Sequence, residues 1–149
     1  MISKILVPTD GSKTAQKAAI YAVGLAKQLH ASIVIMSVMD ERLLTSRTVT
    51  VRRSLPGVAE SLHDYLQETA EAYVEEIEAL CKKGGIKSKT IIRPGHPVEA
   101  IVKEAEKSKA DLIVMGSHGQ SALVAATLGS VTYGVIHKDT TVPVLVVRK

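Results

Sequence analysis

The stretch Asp111-Leu112-Ile113-Val114-Met115-Gly116-Ser117-His118-Gly119, followed after nine intervening residues by Gly129-Ser130, decides the reading of this chain. Leu112 to Met115 is a short apolar run of the kind found in strands covered on both faces. It stops at a glycine, so no side chain stands at the strand end. A bulk-free strand end, a bent loop and a glycine-serine helix start let a backbone wrap closely round a phosphate without side-chain clash. The spacing points to a nucleotide. Gly116 and Gly119 have a plainer reading as turn glycines, and Gly129-Ser130 one as an ordinary helix start. The latter is compatible with phosphate contact, because any helix start presents N–H groups and a positive dipole end.

Outward from this stretch, short β-branched runs alternate with longer helical ones, the pattern of a parallel sheet covered by helices. Ile2 to Val7, Ile33 to Val38, Ser88 to Ile92, Leu112 to Met115 and Val142 to Val147 read as strands. Thr14 to Leu29 carries Ala18, Ala22, Leu25, Ala26 and Leu29 at helical spacing and reads as the first helix. From about Leu62 to Cys81 the pattern places Leu62, Leu66, Tyr73, Ile77 and Leu80 on one face and Glu68, Glu71, Glu75 and Glu78 elsewhere. That is an amphipathic surface helix, ended by Gly84-Gly85. Val98 to Lys107 and about Ser130 to His137 are the remaining helices. No internal repeat breaks the 149 residues, which are expected to form one domain with a flexible segment at about 41–57.

Composition narrows the function classes. Hydrophobic residues make up 46% of the chain, yet Phe and Trp are absent and there are only 4 Tyr, so the core is aliphatic and the base of a nucleotide would sit between aliphatic groups. The lone Cys81 allows no internal disulfide and no cysteine cluster for zinc, and reads as a small buried hydrophobe in a reducing compartment. The apolar stretch after Lys4 is too short for a signal segment or a membrane span, so cytoplasm is expected and a membrane is not. A net charge of +4 is mild, and Lys82, Lys83, Lys87 and Lys89 read as a solvated helix end and strand start, so no nucleic-acid partner is expected. His30, His63, His96 and His137 lack metal-ligand spacing. Gly11-Ser12-Lys13-Thr14 is not a Walker A loop, since Leu6 stands where its first glycine belongs. His118 lies inside the glycine loop, but a general base needs a poised partner and no acid adjoins it, so no catalytic residue is assigned.

The arrangement Gly-x2-Gly-x9-Gly-Ser resembles the nucleotide-binding signature of the universal stress protein family. The likeness covers nearly the whole chain: Lys4-Ile5-Leu6-Val7-Pro8-Thr9-Asp10-Gly11-Ser12 resembles the family's first strand and turn, Gly95-His96-Pro97 its third strand-helix junction, and Val142-Pro143-Val144-Leu145-Val146-Val147 its closing strand. The resemblance implies a single-domain, Rossmann-like α/β fold: an open five-stranded parallel sheet of order 3-2-1-4-5 with helices on both faces. Strands one and four then lie side by side, and their carboxyl ends make a switch-point crevice faced by Asp10 and Gly116.

The resemblance also implies a cytoplasmic, homodimeric stress-response protein that binds ATP, or AMP or ADP, as a nucleotide-dependent regulatory or binding module with a further protein partner. Gly116, Gly119, Gly129, Ser130, Val131 and Thr132 would hold phosphates and ribose. Pro8, Thr9, Asp10, Val38 and Met115 would line the nucleoside part, Val38 through its amide and carbonyl. Asp10 has two readings, a ribose or metal-associated contact by resemblance, or a helix cap or organiser of the Gly11-Ser12 turn. Family members lacking the glycine motif do not bind ATP.

One departure matters. Between Gly116 and Thr132 there is no Lys or Arg, where basic residues are common in the family. Triphosphate charge then has to be balanced by Mg2+, by helix dipoles or by arginines from elsewhere. Arg42, Arg47, Arg52 and Arg53, beyond strand two, are candidates, a solvated loop being their plainer reading. Pairing Val142–Val147 with its twin across a two-fold axis would remove an apolar edge that only Pro143 blunts. Two alternatives remain: slow ATP hydrolysis or phosphotransfer using Asp10, Mg2+ and His118, and a nucleotide-free dimerisation protein whose glycines only shape a turn.

Overall fold

The computed structural model describes residues 1–40, 42, 58–119, 128–138 and 141–148, with residues 58–60 in backbone alone. The segment expected to be flexible, about 41–57, lies outside the described residues apart from Arg42. The elements in chain order are β1 (Lys4–Pro8), α1 (Lys13–Leu29), β2 (Ser32–Asp40), α2 (Val58–Lys83), β3 (Ser88–Gly95), α3 (Pro97–Lys107), β4 (Leu112–Gly116), α4 (Ser130–His137) and β5 (Val144–Val147). The five strands form one sheet of order β3-β2-β1-β4-β5, all pairs parallel, as expected.

Side-chain alternation along the strands builds two aliphatic layers. Ile5, Val7, Ile33, Ile35, Leu112 and Val114 point to the face covered by α1 and α2. Leu6, Val34, Met36, Ile113 and Met115 point to the face covered by α3 and α4. Right-handed crossovers require this split once the chain, having stepped outward from β1 to β3, returns to the other side of β1 at β4. Each fully buried aliphatic side chain contributes about 1.5–3 kcal/mol, and with no Phe or Trp the number of such residues replaces their size.

Helix positions follow side-chain bulk. α1 turns Ala15, Ala18, Ala19, Ala22 and Ala26 onto the sheet, which brings its backbone close to the central strands. Ser12 caps it, the hydroxyl accepting from Ala15 N at 3.1 Å. On α2 the buried stripe is Ala70, Val74, Ile77 and Cys81, so that of the expected Leu62–Leu66–Tyr73–Ile77–Leu80 face only Ile77 is fully buried. The small residues sit where the helix meets the sheet, and Leu62, Leu66, Tyr73 and Leu80 flank them, half-buried. Cys81 is fully buried, and burial pushes its thiol pKa up, in keeping with a small hydrophobe.

Strand ends also differ from the periodicity. β2 and β3 extend to Asp40 and Gly95, pairing Val38 with Arg93, Met39 with Pro94 and Asp40 with Gly95. β3 is a sheet edge with exposed Lys89, Thr90, Arg93 and Pro94, so its apolar pattern ends before its ladder does. β5 begins at Val144 and not Val142, because Pro143 has no N–H, although its carbonyl still accepts from Ile113 N at 2.9 Å. β1 begins at Lys4 and not Ile2, since the amides of Ser3 and Lys4 turn instead to Asp111.

Asp111 latches the amino-terminal ends of β1 and β4 together. Its Oδ2 accepts from Ser3 N at 2.9 Å, Ser3 Oγ at 3.0 Å and Lys4 N at 3.0 Å. The Ser3 amide foremost, then the Ser3 hydroxyl and the Lys4 amide, hold the Asp111 carboxyl below its usual pKa. A carboxylate with a depressed folded pKa stabilises the fold above its unfolded value, about 3.9, and loses that contribution as pH falls through the folded value. Asp111→Asn should therefore be less stable than the parent at pH 7, with the difference shrinking at pH 3, measured by denaturant titration at both values.

Candidate functional site

β1 and β4 pair through Ile5–Leu112 and Leu6–Ile113, while the chain leaves β1 toward β2 and β4 toward β5. These opposite departures open a crevice at the carboxyl ends of the two strands. On the β1 side, Thr9 N donates to Met36 O at 2.8 Å, then the chain bends away from the sheet. Gly11 N donates to Thr9 Oγ1 at 3.1 Å and Ser12 N to Asp10 Oδ1 at 3.0 Å. Gly11 takes φ +77°, a left-handed conformation that glycine adopts without strain. Asp10 thus organises the Gly11-Ser12 turn through one carboxylate oxygen, but the helix cap is Ser12.

On the β4 side, Ser117 N donates to Val147 O at 2.9 Å and Gly129 N to Ser117 O at 2.7 Å, which folds the loop back on itself. The Thr132 hydroxyl, buried, donates to Gly116 O at 2.8 Å and ties α4 to the strand end. Ser117 Oγ lies 2.6 Å from His118 Nδ1. Three glycines close the arrangement by close approach. A Cβ on Gly116 would lie 2.8 Å from Thr14 Cγ2 and 2.9 Å from Thr14 backbone. One on Gly129 would lie 3.1 Å from His118 Cα and 3.3 Å from Gly119 N. One on Gly119 would lie 2.5 Å from Asp10 Oδ2. None of the three has a positive φ, and Gly129 has φ −62°, so space and not backbone conformation is what requires glycine there.

The start of α4 faces this loop. Gly129 is its N-cap and no side chain caps it. By helix geometry the amides of Ser130, Val131 and Thr132 have no intrahelical acceptor, and Tyr133 N is the first to close a turn, on Gly129 O at 2.9 Å. The loop therefore presents consecutive backbone donors at the positive end of a helix dipole.

The structure places the residues singled out from sequence as follows. Asp10 and Gly119 touch across the crevice, Gly116 and Thr132 are bonded, and Gly129 packs on residues 117–119. Pro8 and Thr9 are buried at the end of β1, and Met115 is buried in the layer under α3 and α4, an apolar floor. Val38 is half-buried on β2, and Ser130 is exposed at the helix start. The hydroxyl of Thr132 is turned inward onto Gly116 O.

Arg42, one of the candidate cations, clamps Asp40 instead: Nε donates to Oδ1 at 2.9 Å and Nη2 to Oδ2 at 2.7 Å. That hydrogen-bonded pair holds the Asp40 carboxyl below its usual pKa and raises that of Arg42. Arg47, Arg52 and Arg53 lie outside the described residues. Among the described residues no three His, Cys, Asp or Glu side chains group as a metal site. No helix among them is long and apolar enough to cross a membrane.

Known proteins share this framework. Universal stress protein MJ0531 of Methanocaldococcus jannaschii is 36% identical over 151 residues, covering 100% of this chain and 84% of its own length. Universal stress protein MJ0577 of the same organism is 36% identical over 157 residues, covering 100% and 96%. The solved structure of MJ0577 superposes with a TM-score of 0.84 at 38% identity, over 100% of this chain and 97% of the other. A universal stress protein from Archaeoglobus fulgidus, solved in complex with dAMP, shares the fold at a TM-score of 0.67 and 16% identity, over 99% and 98% of the two chains. The family model described as "Universal stress protein family" matches residues 1–148, and the chain belongs to that family.

Proposed function

We propose that this chain is a cytoplasmic stress-response module that binds ATP in the switch-point crevice and changes partner choice with nucleotide state. The observation that carries the reading is the contact of Gly119 with Asp10: a Cβ on that glycine would lie 2.5 Å from Asp10 Oδ2, so a side chain there would displace the carboxylate that faces the loop. Gly116, Gly119 and Gly129, with the amides of Ser130, Val131 and Thr132, would take the phosphates and ribose. Pro8, Thr9, Asp10, Val38 and Met115 would line the nucleoside. The dAMP complex of the Archaeoglobus fulgidus protein is an adenine nucleotide on this same fold.

Mg2+ fits as a companion of the phosphates more than as a resident of the protein. Asp10 is the carboxylate at the crevice, and the loop residues from Gly116 to Thr132 include no cation. Bound between phosphate oxygens, Mg2+ would supply the positive charge that the loop lacks.

Nucleotide released from denatured protein and identified by mass spectrometry tests the reading directly. By calorimetry, Gly119→Val should weaken MgATP binding at least about tenfold, roughly 1.4 kcal/mol, with an unchanged circular dichroism spectrum. Gly116→Ala should behave differently, because its new methyl meets Thr14 backbone and not a mobile side chain: a loss of about 1–3 kcal/mol in folding stability is expected. Chelating Mg2+ should weaken ATP binding and leave adenosine binding unchanged. Unaltered MgATP affinity in folded Gly119→Val would remove the phosphate-loop assignment.

The subunits would pair through β5. It is an outer strand with Val144, Leu145, Val146 and Val147 all half-buried and only β4 beside it. Such an edge is a template for strand pairing. Exposed Tyr133 and Ile136 on α4 add apolar surface to the same half of the molecule. Light scattering should report a dimer for the parent and a monomer or aggregate for Val144→Lys with Val146→Lys. A parent that is monomeric at micromolar concentration would contradict the pairing.

A further inference from the structure

The turn that carries Asp10 is gripped from outside the site by α2. A Cβ on Gly11 would fall on the Tyr73 ring, at Cε1, Cζ and Cδ1, so the edge of the ring rests against the Gly11 backbone. Close by, Gln16 Nε2 on α1 donates to Glu76 Oε1 on α2 at 2.6 Å. Tyr73 and Glu76 are neighbours at helical spacing, so one face of α2 holds the turn and the first turns of α1 together. The sheet-facing residues of α2 are others, Ala70, Val74 and Ile77, which leaves Tyr73 half-buried at their flank.

We infer that Tyr73 is a positioning residue for the nucleotide site, acting through the Thr9–Ser12 turn. The inference rests on the nucleotide reading of the crevice and adds to it a residue that reaches the site only through another. Its logic starts from Gly11. A glycine at φ +77° has the widest conformational freedom of any residue, and its neighbours hold it by two short-range bonds, Gly11 N to Thr9 Oγ1 and Ser12 N to Asp10 Oδ1. The second of these survives only while Gly11 keeps that conformation, because the φ and ψ of Gly11 place the Ser12 amide relative to Asp10. The Tyr73 ring blocks the volume into which the turn would otherwise relax. With the turn fixed, Asp10 Oδ2 stays against Gly119. With the ring removed, the carboxylate samples other positions and a bound nucleotide has to select one of them, which lowers apparent affinity.

The test uses the full chain and two independent readouts. In nucleotide-free protein, amide exchange of Ser12 by NMR reports whether the Asp10–Ser12 bond is held. In the same samples, calorimetry reports the MgATP dissociation constant. Tyr73→Ala should speed Ser12 exchange at least about tenfold and weaken MgATP by about the same factor, and Tyr73→Phe, which keeps the ring, should stay within about twofold of the parent on both. Leu80→Ala, on the same helix but remote from the turn, lowers stability without either effect and so separates positioning from general packing. Should Tyr73→Ala fail to fold, Tyr73→Leu, similar in bulk but without a flat ring, takes its place with the same expectation. Parent-like Ser12 exchange in the ring-less variant, or an equal affinity loss in Leu80→Ala, overturns the inference. A parent that binds no MgATP while Tyr73→Ala still frees Ser12 would instead sink the nucleotide reading and, with it, the functional role given to Tyr73.

Discussion

The contact between Gly116 and Thr14 is the constraint on which this structure turns. Where β4 ends, α1 begins, and the two backbones approach so closely that even a methyl group on Gly116 would lie within 2.9 Å of Thr14. That approach lets α1 start directly beside the end of β4. The same glycine's carbonyl receives the Thr132 hydroxyl at 2.8 Å, so α4 is fastened to the strand from its other side. Three elements converge on one residue with no side chain, and none of their positions is independent of the others.

Packing beneath the site obeys the same economy of bulk. Five alanines of α1 are buried, and on α2 the sheet-facing positions are Ala70, Val74, Ile77 and Cys81. Small residues let both helices ride close to the sheet, and closeness offsets the modest area that each side chain buries. At the far end of the strands, Asp111 joins the starts of β1 and β4 with three hydrogen bonds. The β1–β4 pair is thus held at both ends, by a carboxylate below and by glycine contacts above. A crevice between two strands keeps a fixed width only when both ends of the pair are fixed.

Much of this was legible in the sequence because the deciding signals are local. The alternation of apolar runs gave five strands and their intervening helices, and the glycine spacing pointed to the loop that follows β4. What periodicity missed has a physical cause in each case. β3 lies at an edge, so Arg93 and Pro94 pair in the ladder while facing solvent, and no apolar pattern marks them. The α2 face reads from its largest apolar residues; Ile77 is buried as expected, but Ala70, Val74 and Cys81 take the other sheet-facing positions and Leu62, Leu66, Tyr73 and Leu80 flank them. Gly119 and Gly129 read as turn or phosphate glycines, and what their spacing does not show is that each lacks a side chain where Asp10 or residues 117–119 approach, which depends on contacts made only in the folded chain. Tyr73 carried no sign of its contact with Gly11, since a tyrosine on an amphipathic face reads as packing until its neighbour is known.

The charge pattern of the crevice constrains what can lie between its two sides. Asp10 turns Oδ2 toward Gly119, on the loop that offers its amides to an anion. A phosphate set directly against that carboxylate would be repelled by about 4 kcal/mol at about 4 Å with an effective dielectric constant near 20. A helix dipole of about half an elementary charge offsets only part of this, and its influence fades within a turn. Arg42 does not remedy it, being clamped to Asp40 by two short hydrogen bonds. A ligand consistent with both sides therefore meets Asp10 with a donor or a cation and meets the α4 start with an anion. Ribose hydroxyls beside Asp10 with phosphates at the amides would satisfy that order, and a phosphate-bound Mg2+ would supply the cation. A bare inorganic anion satisfies only one half of it.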